Sequence, residues 1–266
     1  MILQKTADLP YLPKRIISLV PSQTELLYDL GLETETAAIT KFCIHPTTWF
    51  SEKEKVGGTK TVDLQKIKQI QPDLIIANKE ENVKEQIEML AADYPVWLTD
   101  VNNFNDALKM IADIGTLTRK QNESSAIIQN IITGFVDLTK MDPPVKTGYL
   151  IWRNPYMTIG GDTFINDMLN LCGLKNISSH KTRYPDISIS ELQTTNPQGP
   201  EGCKLLLLSS EPYPFKNEHI VELQQHLPNT KIMLVNGEMF SWYGSRMLRS
   251  ASYFKQLTAE IQREIK

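Results

Sequence analysis

The feature that most constrains this chain is a repeated alternation of short β-branched apolar runs with segments whose apolar residues recur at helical spacing. The run Arg15-Ile-Ile-Ser-Leu-Val20 reads as a strand. Beyond Pro21, Ser22-Gln-Thr-Glu25 has the form of a capping box, and Leu26, Leu27 and Leu30 lie on the inner face of a helix that stops at Gly31. A strand at 36–40 follows. Leu64, Ile67 and Ile70 then mark a helix over 63–70 halted by Pro72, with a strand at 74–77 behind it. Val83, Ile87 and Leu90 place a helix at 82–92, and a strand is expected at 95–98. Strands separated by helices need crossover connections, so the pattern predicts a mainly parallel sheet covered by helices.

Between 104 and 141 the strand signals vanish. A short helix is expected at 107–114, then a longer one with Ile127, Ile131, Phe135 and Leu138 on one stripe, ended by Asp142-Pro-Pro144 and spanning roughly 30 Å. The alternation then resumes: a strand at 147–152, a helix at 164–172 closed by Gly173, a strand at 204–208, a helix at 217–226, a strand at 231–235 and a terminal helix from Ser245. Ser188-Ile-Ser-Glu191 is a second capping box, and 197–202 reads as a loop. The expected fold is therefore α/β: two Rossmann-like lobes with mainly parallel sheets joined by a single long backbone helix. Its parts are an N-terminal lobe at 1–116, the helix at 117–142 and a C-terminal lobe at 143–266.

A chain of 266 residues buries a core without covalent staples, and a formal net charge of -3 offers nucleic acid no broad basic face. Cys43, Cys172 and Cys203 are odd in number and far apart, which suggests buried thiols. His45, His180, His219 and His226 lack the spacing that sets two imidazoles on one metal, so no protein-held metal is expected. No apolar stretch reaches the roughly 20 residues that cross a bilayer, so no membrane insertion is expected. Charged and proline residues occupy the first fifteen positions, where a secretory leader needs an apolar run, so the chain as written is expected to be cytoplasmic.

In open α/β sheets the ligand site lies beyond the carboxyl ends of the strands. Here those loops are rich in aromatic residues: Phe42-Cys-Ile-His-Pro46, Trp152-Arg-Asn-Pro-Tyr156, Arg183-Tyr-Pro185, Glu211-Pro-Tyr-Pro-Phe215 and Glu238-Met-Phe-Ser-Trp-Tyr243. Taken singly, each ring has a simpler role in capping a core. Five such loops at strand ends point instead to a pocket for a large flat ligand. Arg153, Arg183 and Arg246 are candidates for carboxylate or phosphate groups on that ligand, with surface ion pairs as the alternative.

Phosphate-loop, dinucleotide and nucleophile-elbow motifs are absent from the sequence. Gly57-Gly58 and Gly160-Gly161 read as turns, and Glu25 is accounted for as a capping residue. A binding protein, not an enzyme, is expected. The alternatives are a cytosolic enzyme on a similar two-lobed scaffold, such as a tetrapyrrole chelatase or a transferase, with His45 or Glu238 as general base or metal ligand, or a protein-interaction module with a flat apolar patch.

Arg15-Ile-Ile-Ser-Leu-Val-Pro-Ser-Gln-Thr-Glu-Leu, Pro72-Asp-Leu-Ile-Ile76 and Asp162-Thr-Phe-Ile-Asn-Asp-Met-Leu-Asn-Leu-Cys-Gly173 resemble the class III, helical-backbone periplasmic substrate-binding proteins of ABC importers. These receptors take cobalamin, iron siderophores or haem. The resemblance implies a ligand held without covalent attachment in a cleft between two lobes: a corrinoid or an iron chelate. It implies a monomer, a location in the periplasm or at the cell surface, and an ABC permease as partner. By the same resemblance Phe42 stands where cobalamin-binding members place a tyrosine, Tyr184 where they place a tryptophan, Met157 for a phenylalanine and Thr59 for a tryptophan. Glu238 and Phe240 match the last strand-end loop, with Trp242 and Arg246 close by. With His45, Trp152, Arg153 and Tyr156 these make up the expected ligand-binding set. Gln65 and Ser190 fall where the family presents docking glutamates to its permease, which leaves open a cytosolic carrier without transporter docking.

Overall fold

The computed structural model describes residues 1–193 and 203–265, and the loop expected at 197–202 lies outside the described residues. The elements run β1 (Ile16–Ser18), α1 (Pro21–Asp29), β2 (Thr36–Ile39), α2 (Thr47–Glu52), β3 (Glu54–Lys55), α3 (Leu64–Ile70), β4 (Leu74–Asn78), α4 (Lys84–Asp93), β5 (Val96–Thr99), α5 (Phe104–Leu117) and α6 (Gln121–Val136). They continue with β6 (Val145–Leu150), α7 (Phe164–Leu171), β7 (Leu174–Asn176), α8 (Ile189–Gln193), β8 (Leu205–Ser209), α9 (Asn217–His226), β9 (Lys231–Val235), α10 (Glu238–Ser241) and α11 (Met247–Glu264). Two units emerge. Unit 1 holds 1–101, 105–131 and 242–247, and unit 2 holds 102–104, 132–241 and 248–266.

Unit 1 carries a sheet in the order β3-β2-β1-β4-β5, every pair parallel. Successive strand residues point to opposite faces, and here both faces are covered. Ile17, Leu19, Ile75, Ala77 and Val96 pack with Ile67 of α3 and with Ile87 and Leu90 of α4. Ile16, Leu74 and Ile76, on the other face, are just as inaccessible. Unit 2 repeats the plan with the order β7-β6-β8-β9, again all parallel. The leucine run of β8 is buried throughout, and Leu206 and Leu208 pack with Leu223 of α9 and Ile232 of β9.

The expected helix at 107–114 extends over the fourteen residues of α5. The one expected across 117–142 occupies Gln121–Val136, or roughly 24 Å. Arg119 takes a left-handed conformation (φ 55°) and the Lys120 N–H bonds Gly115 O at 2.7 Å, a helix-terminating arrangement that separates α5 from α6. The apolar stripe survives: Ile127, Ile131, Phe135 and Leu138 are all buried, although Leu138 lies past the helix end. β3 and α2 were not expected, because a two-residue edge strand and a six-residue helix carry too few positions for a period to show.

The Ser188 capping box forms: Ser188 N–H donates to Glu191 Oε2 (2.8 Å) and Glu191 N–H to Ser188 Oγ (3.3 Å). The one expected at Ser22 does not. Pro21 occupies the first helical position with Val20 as N-cap, so Ser22 already lies inside α1 and Glu25 is too far along to reach back.

Candidate functional site

Each unit gathers its strand-end loops on its own terms. In unit 1 the turn after β1 is packed with polar side chains that bond to neighbouring strand-end residues. Thr24 Oγ1 donates to Ser18 Oγ at 2.8 Å and also lies 3.1 Å from Cys43 Sγ, while Gln23 Nε2 donates to Thr99 Oγ1 at 2.6 Å. These bonds anchor α1 beneath the loop after β2, where Phe42 projects with 52% of its surface exposed and the Lys41 ammonium 5.3 Å from its ring centre. Gly58 leaves room for that ring, since a β-carbon there would sit 3.1 Å from Phe42 Cε2.

Farther along the chain, 242–247 completes the unit 1 loops. The His45 ring meets Trp242 edge-on with centroids 5.4 Å apart, and the Arg246 guanidinium stacks 4.9 Å from the same indole. Arg246 Nε also donates to Glu25 Oε2 at 2.8 Å, with both side chains under one tenth exposed. Arg246 thus ties 242–247 to α1, the ion-pair alternative for this residue. Thr59 is likewise buried at 8%, and its carbonyl accepts from Asn82 Nδ2 at 3.0 Å.

In unit 2 the chain leaves β6 into a tight return, Ile151 N–H bonding Met157 O and Met157 N–H bonding Trp152 O. Trp152 stands 41% exposed at its tip and meets Tyr213 edge-on at 5.8 Å. Arg153 Nη2 donates to Glu222 Oε2 at 2.6 Å, and the Tyr156 hydroxyl approaches the other Glu222 oxygen at 3.4 Å. Hydrogen bonds that Arg153 donates to Tyr213 and Glu222 hold it firmly charged, and Arg153 in turn pulls the Glu222 carboxyl below its ordinary range. Arg153 is therefore committed within its own unit.

The segment 181–187 lies alongside: Thr158 N–H bonds Pro185 O and Gly160 N–H bonds Arg183 O. Gly160 and Gly161 are glycine because of this close approach; a β-carbon on Gly160 would lie 2.5 Å from Lys181 O. Tyr184 and Met157 are half-buried along this pair of segments. Glu238, half-buried, opens α10 with its N–H on Asn236 Oδ1 at 3.1 Å. Phe240 is fully inaccessible among Tyr149 (5.3 Å), Phe254 (4.7 Å) and Tyr253 (6.3 Å), within the core of unit 2.

Gln65 is exposed on the first turn of α3, and Ser190 is exposed in α8 with its hydroxyl 2.8 Å from Ser188 Oγ. Neighbouring Glu191 is taken up by Lys181 Nζ at 2.6 Å as well as by its cap. Its carboxyl is held down at about 2 by the Lys181 ammonium and the Ser188 N–H. The three cysteines are buried as expected. Desolvation raises the Cys43 thiol, Cys172 to about 12 and Cys203 to about 11. Among the described residues, no group of three His, Cys, Asp or Glu side chains converges as metal donors.

Two cavities border strand ends and the 181–187 segment. One of about 480 Å³ in unit 1 is lined by Ile2, Trp97, Lys79 and Asp100, and one of about 390 Å³ in unit 2 by Lys146, Lys175 and His180. Neither includes an expected ligand-binding residue. Three acids escaped the sequence reading: Glu25, assigned to a cap; Glu222, hidden on a helix face; and Glu81. For Glu81 the signal is an acidic pair, Glu80-Glu81, separated by one residue from β4, which by itself does not differ from a solvated turn.

Two all-parallel α/β units with α5 and α6 linking their sheets along the chain define the class III architecture of substrate-binding proteins. The fold is shared with a periplasmic vitamin B12 binding protein of Vibrio cholerae (TM-score 0.71, 20% identity, 94% of this chain and 98% of that one). A periplasmic haem-binding protein of Roseiflexus gives TM-score 0.77 at 15% identity, over 95% of this chain and 99% of its own. In sequence, a vitamin B12-binding protein of Pectobacterium atrosepticum is 23% identical over 261 residues, 94% of this chain and 90% of the relative. Residues 16–199 match the family described as Periplasmic binding protein, and the chain belongs to that family. Among the described residues, no helix is long and apolar enough to cross a membrane.

Proposed function

We propose that this chain is the substrate-binding component of an ABC-type importer, holding a corrinoid or an iron chelate at its strand-end loops without covalent attachment and without transforming it. The observation that carries the reading is the pair of large aromatic rings left exposed on braced loops, Phe42 at 52% and Trp152 at 41%. Exposed rings on loops pinned by backbone hydrogen bonds are what a flat ligand needs, because they lose little conformational freedom on binding. The vitamin B12-binding and haem-binding relatives support the ligand class.

The partner in this reading is an ABC permease, the protein acts as a monomer, and its place of work is the periplasm or cell surface, as for the family. Since Gln65 and Ser190 are uncharged and Glu191 is committed to Lys181, docking relies on contacts other than a glutamate at those positions. Calorimetric titration with cyanocobalamin, haem and a ferric siderophore tests the proposal. One-to-one saturation by one of them at sub-micromolar affinity is the expected result. No heat with any of the three overturns it.

A further inference from the structure

Among the described residues, one carboxyl group among the strand-end loops of unit 1 is engaged by no other side chain. It belongs to Glu81, in the short turn between β4 and α4. Buried amides hold that turn in place. Asn78 Oδ1 accepts the N–H groups of Glu80 (2.8 Å) and Glu81 (3.3 Å), and Asn82 Oδ1 accepts the Asn78 N–H (2.9 Å). Asn82 Nδ2 then ties the turn to its neighbours, donating to Thr59 O (3.0 Å) and Leu19 O (3.3 Å). Asn78 and Asn82 are 1% and 5% exposed, so the backbone carrying Glu81 is fixed from within.

The Glu81 side chain is half-buried, and among the described residues it has no hydrogen-bond or ion-pair partner. Burial pushes its carboxyl above the ordinary range, with the Lys60 ammonium pulling the other way. Its charge helps raise both the Cys43 thiol and the Tyr243 phenol, which places the three groups in one neighbourhood. An unpartnered, partly desolvated carboxylate is costly, and native proteins rarely keep one without a use.

The cations nearby do not cancel it. Lys60 Nζ is engaged by Glu80 O, Lys79 is paired with Asp100 at 2.7 Å, and Lys41 lies over the Phe42 ring. All three lysines are exposed, where water and salt screen their charge, whereas Glu81 is screened less.

We propose that Glu81 determines ligand specificity at the unit 1 loops, admitting a neutral or cationic ligand and turning away one that brings carboxylates of its own. The substrate class is then an amide-clad corrinoid or a cationic ferric chelate, and not a dicarboxylate porphyrin. This inference rests on the chelate-binding reading above.

The test is titration of the parent and of Glu81→Gln with cyanocobalamin, a cationic ferric trihydroxamate and haem. The parent is expected to bind the first or second at least about tenfold more tightly than haem. Glu81→Gln is expected to close that gap by about fivefold or more through tighter haem binding. Circular dichroism and a urea midpoint establish that the variant is folded, and Glu81→Asp, which keeps the charge, should keep the discrimination. Preference of the parent for haem, or a gap unchanged in a folded Glu81→Gln, overturns the specificity role while leaving the binding function intact. Failure of the parent to bind any of the three overturns the underlying reading and this inference with it.

Discussion

Arg246 Nε donates a 2.8 Å hydrogen bond to Glu25 Oε2 across 221 residues of sequence, and the two side chains are 4% and 7% exposed. Removing one partner of such a pair strands the other charge out of water, at a cost of about 3–5 kcal/mol. Glu25→Leu and Arg246→Met are each expected to lose about that much stability. The double variant should recover most of it, because an apolar pair of similar volume carries no desolvation penalty. Urea denaturation of the four proteins checks this, and simple addition of the two losses would show that the residues are not coupled.

Phe42 and Trp152 are exposed rings, whereas Phe240 is fully buried. Phe42→Ala and Trp152→Ala remove exposed rings, so each should weaken ligand binding about tenfold and shift stability by under about 1 kcal/mol. Phe240→Ala empties a closed aromatic cluster and should cost about 3–5 kcal/mol. Calorimetry paired with denaturation on each variant makes the distinction. A Phe240→Ala protein of unchanged stability would return that residue to the ligand site.

Glu191 confers a pH dependence whose sign is set by its carboxyl standing at about 2. Its folded value lies below that of an unfolded glutamate, about 4.3. The Lys181 and cap contacts therefore stabilise fully above that unfolded value and are lost as pH falls toward about 2. With the Glu191 side chain 46% exposed, solvent screening limits the contribution to under about 1 kcal/mol. Glu191→Gln should lower the urea midpoint equally at about pH 7 and pH 6, with the difference shrinking by about pH 3. A difference that persists undiminished under acid would point to the cap geometry alone.

Thiol chemistry should be silent in the native protein. Desolvation holds Cys172 at about 12 and Cys203 at about 11, and Cys43 is raised in the same way. Reaction with a chromogenic disulfide reagent at about pH 8 is expected to be slow for all three and complete only on unfolding. Rapid native labelling of any of them would identify a local opening.

The β-α alternation was legible in the amino-acid sequence because it depends on periods of two and 3.6 residues, which the side chains themselves carry. The runs at 16–17, 74–77 and 205–208 are apolar on consecutive positions because both faces of a parallel sheet are covered, and the helix stops at Gly31 and Gly173 need a residue that tolerates positive φ. The Ser188 cap was legible for the same reason, being complete within four residues. What depends on partners far along the chain was not legible. Glu25 reads as a cap in sequence, whereas its pairing with Arg246 and that of Arg153 with Glu222 join residues 221 and 69 positions apart. Phe42 and Phe240, alike as residues in aromatic loops, differ only in what surrounds them: one projects from a braced turn and the other closes a core. The sequence determined which segments are strands and helices through local periodicity and turn chemistry. Which charges are satisfied, and which rings remain free to meet a ligand, was decided only when tertiary packing brought distant segments within contact distance.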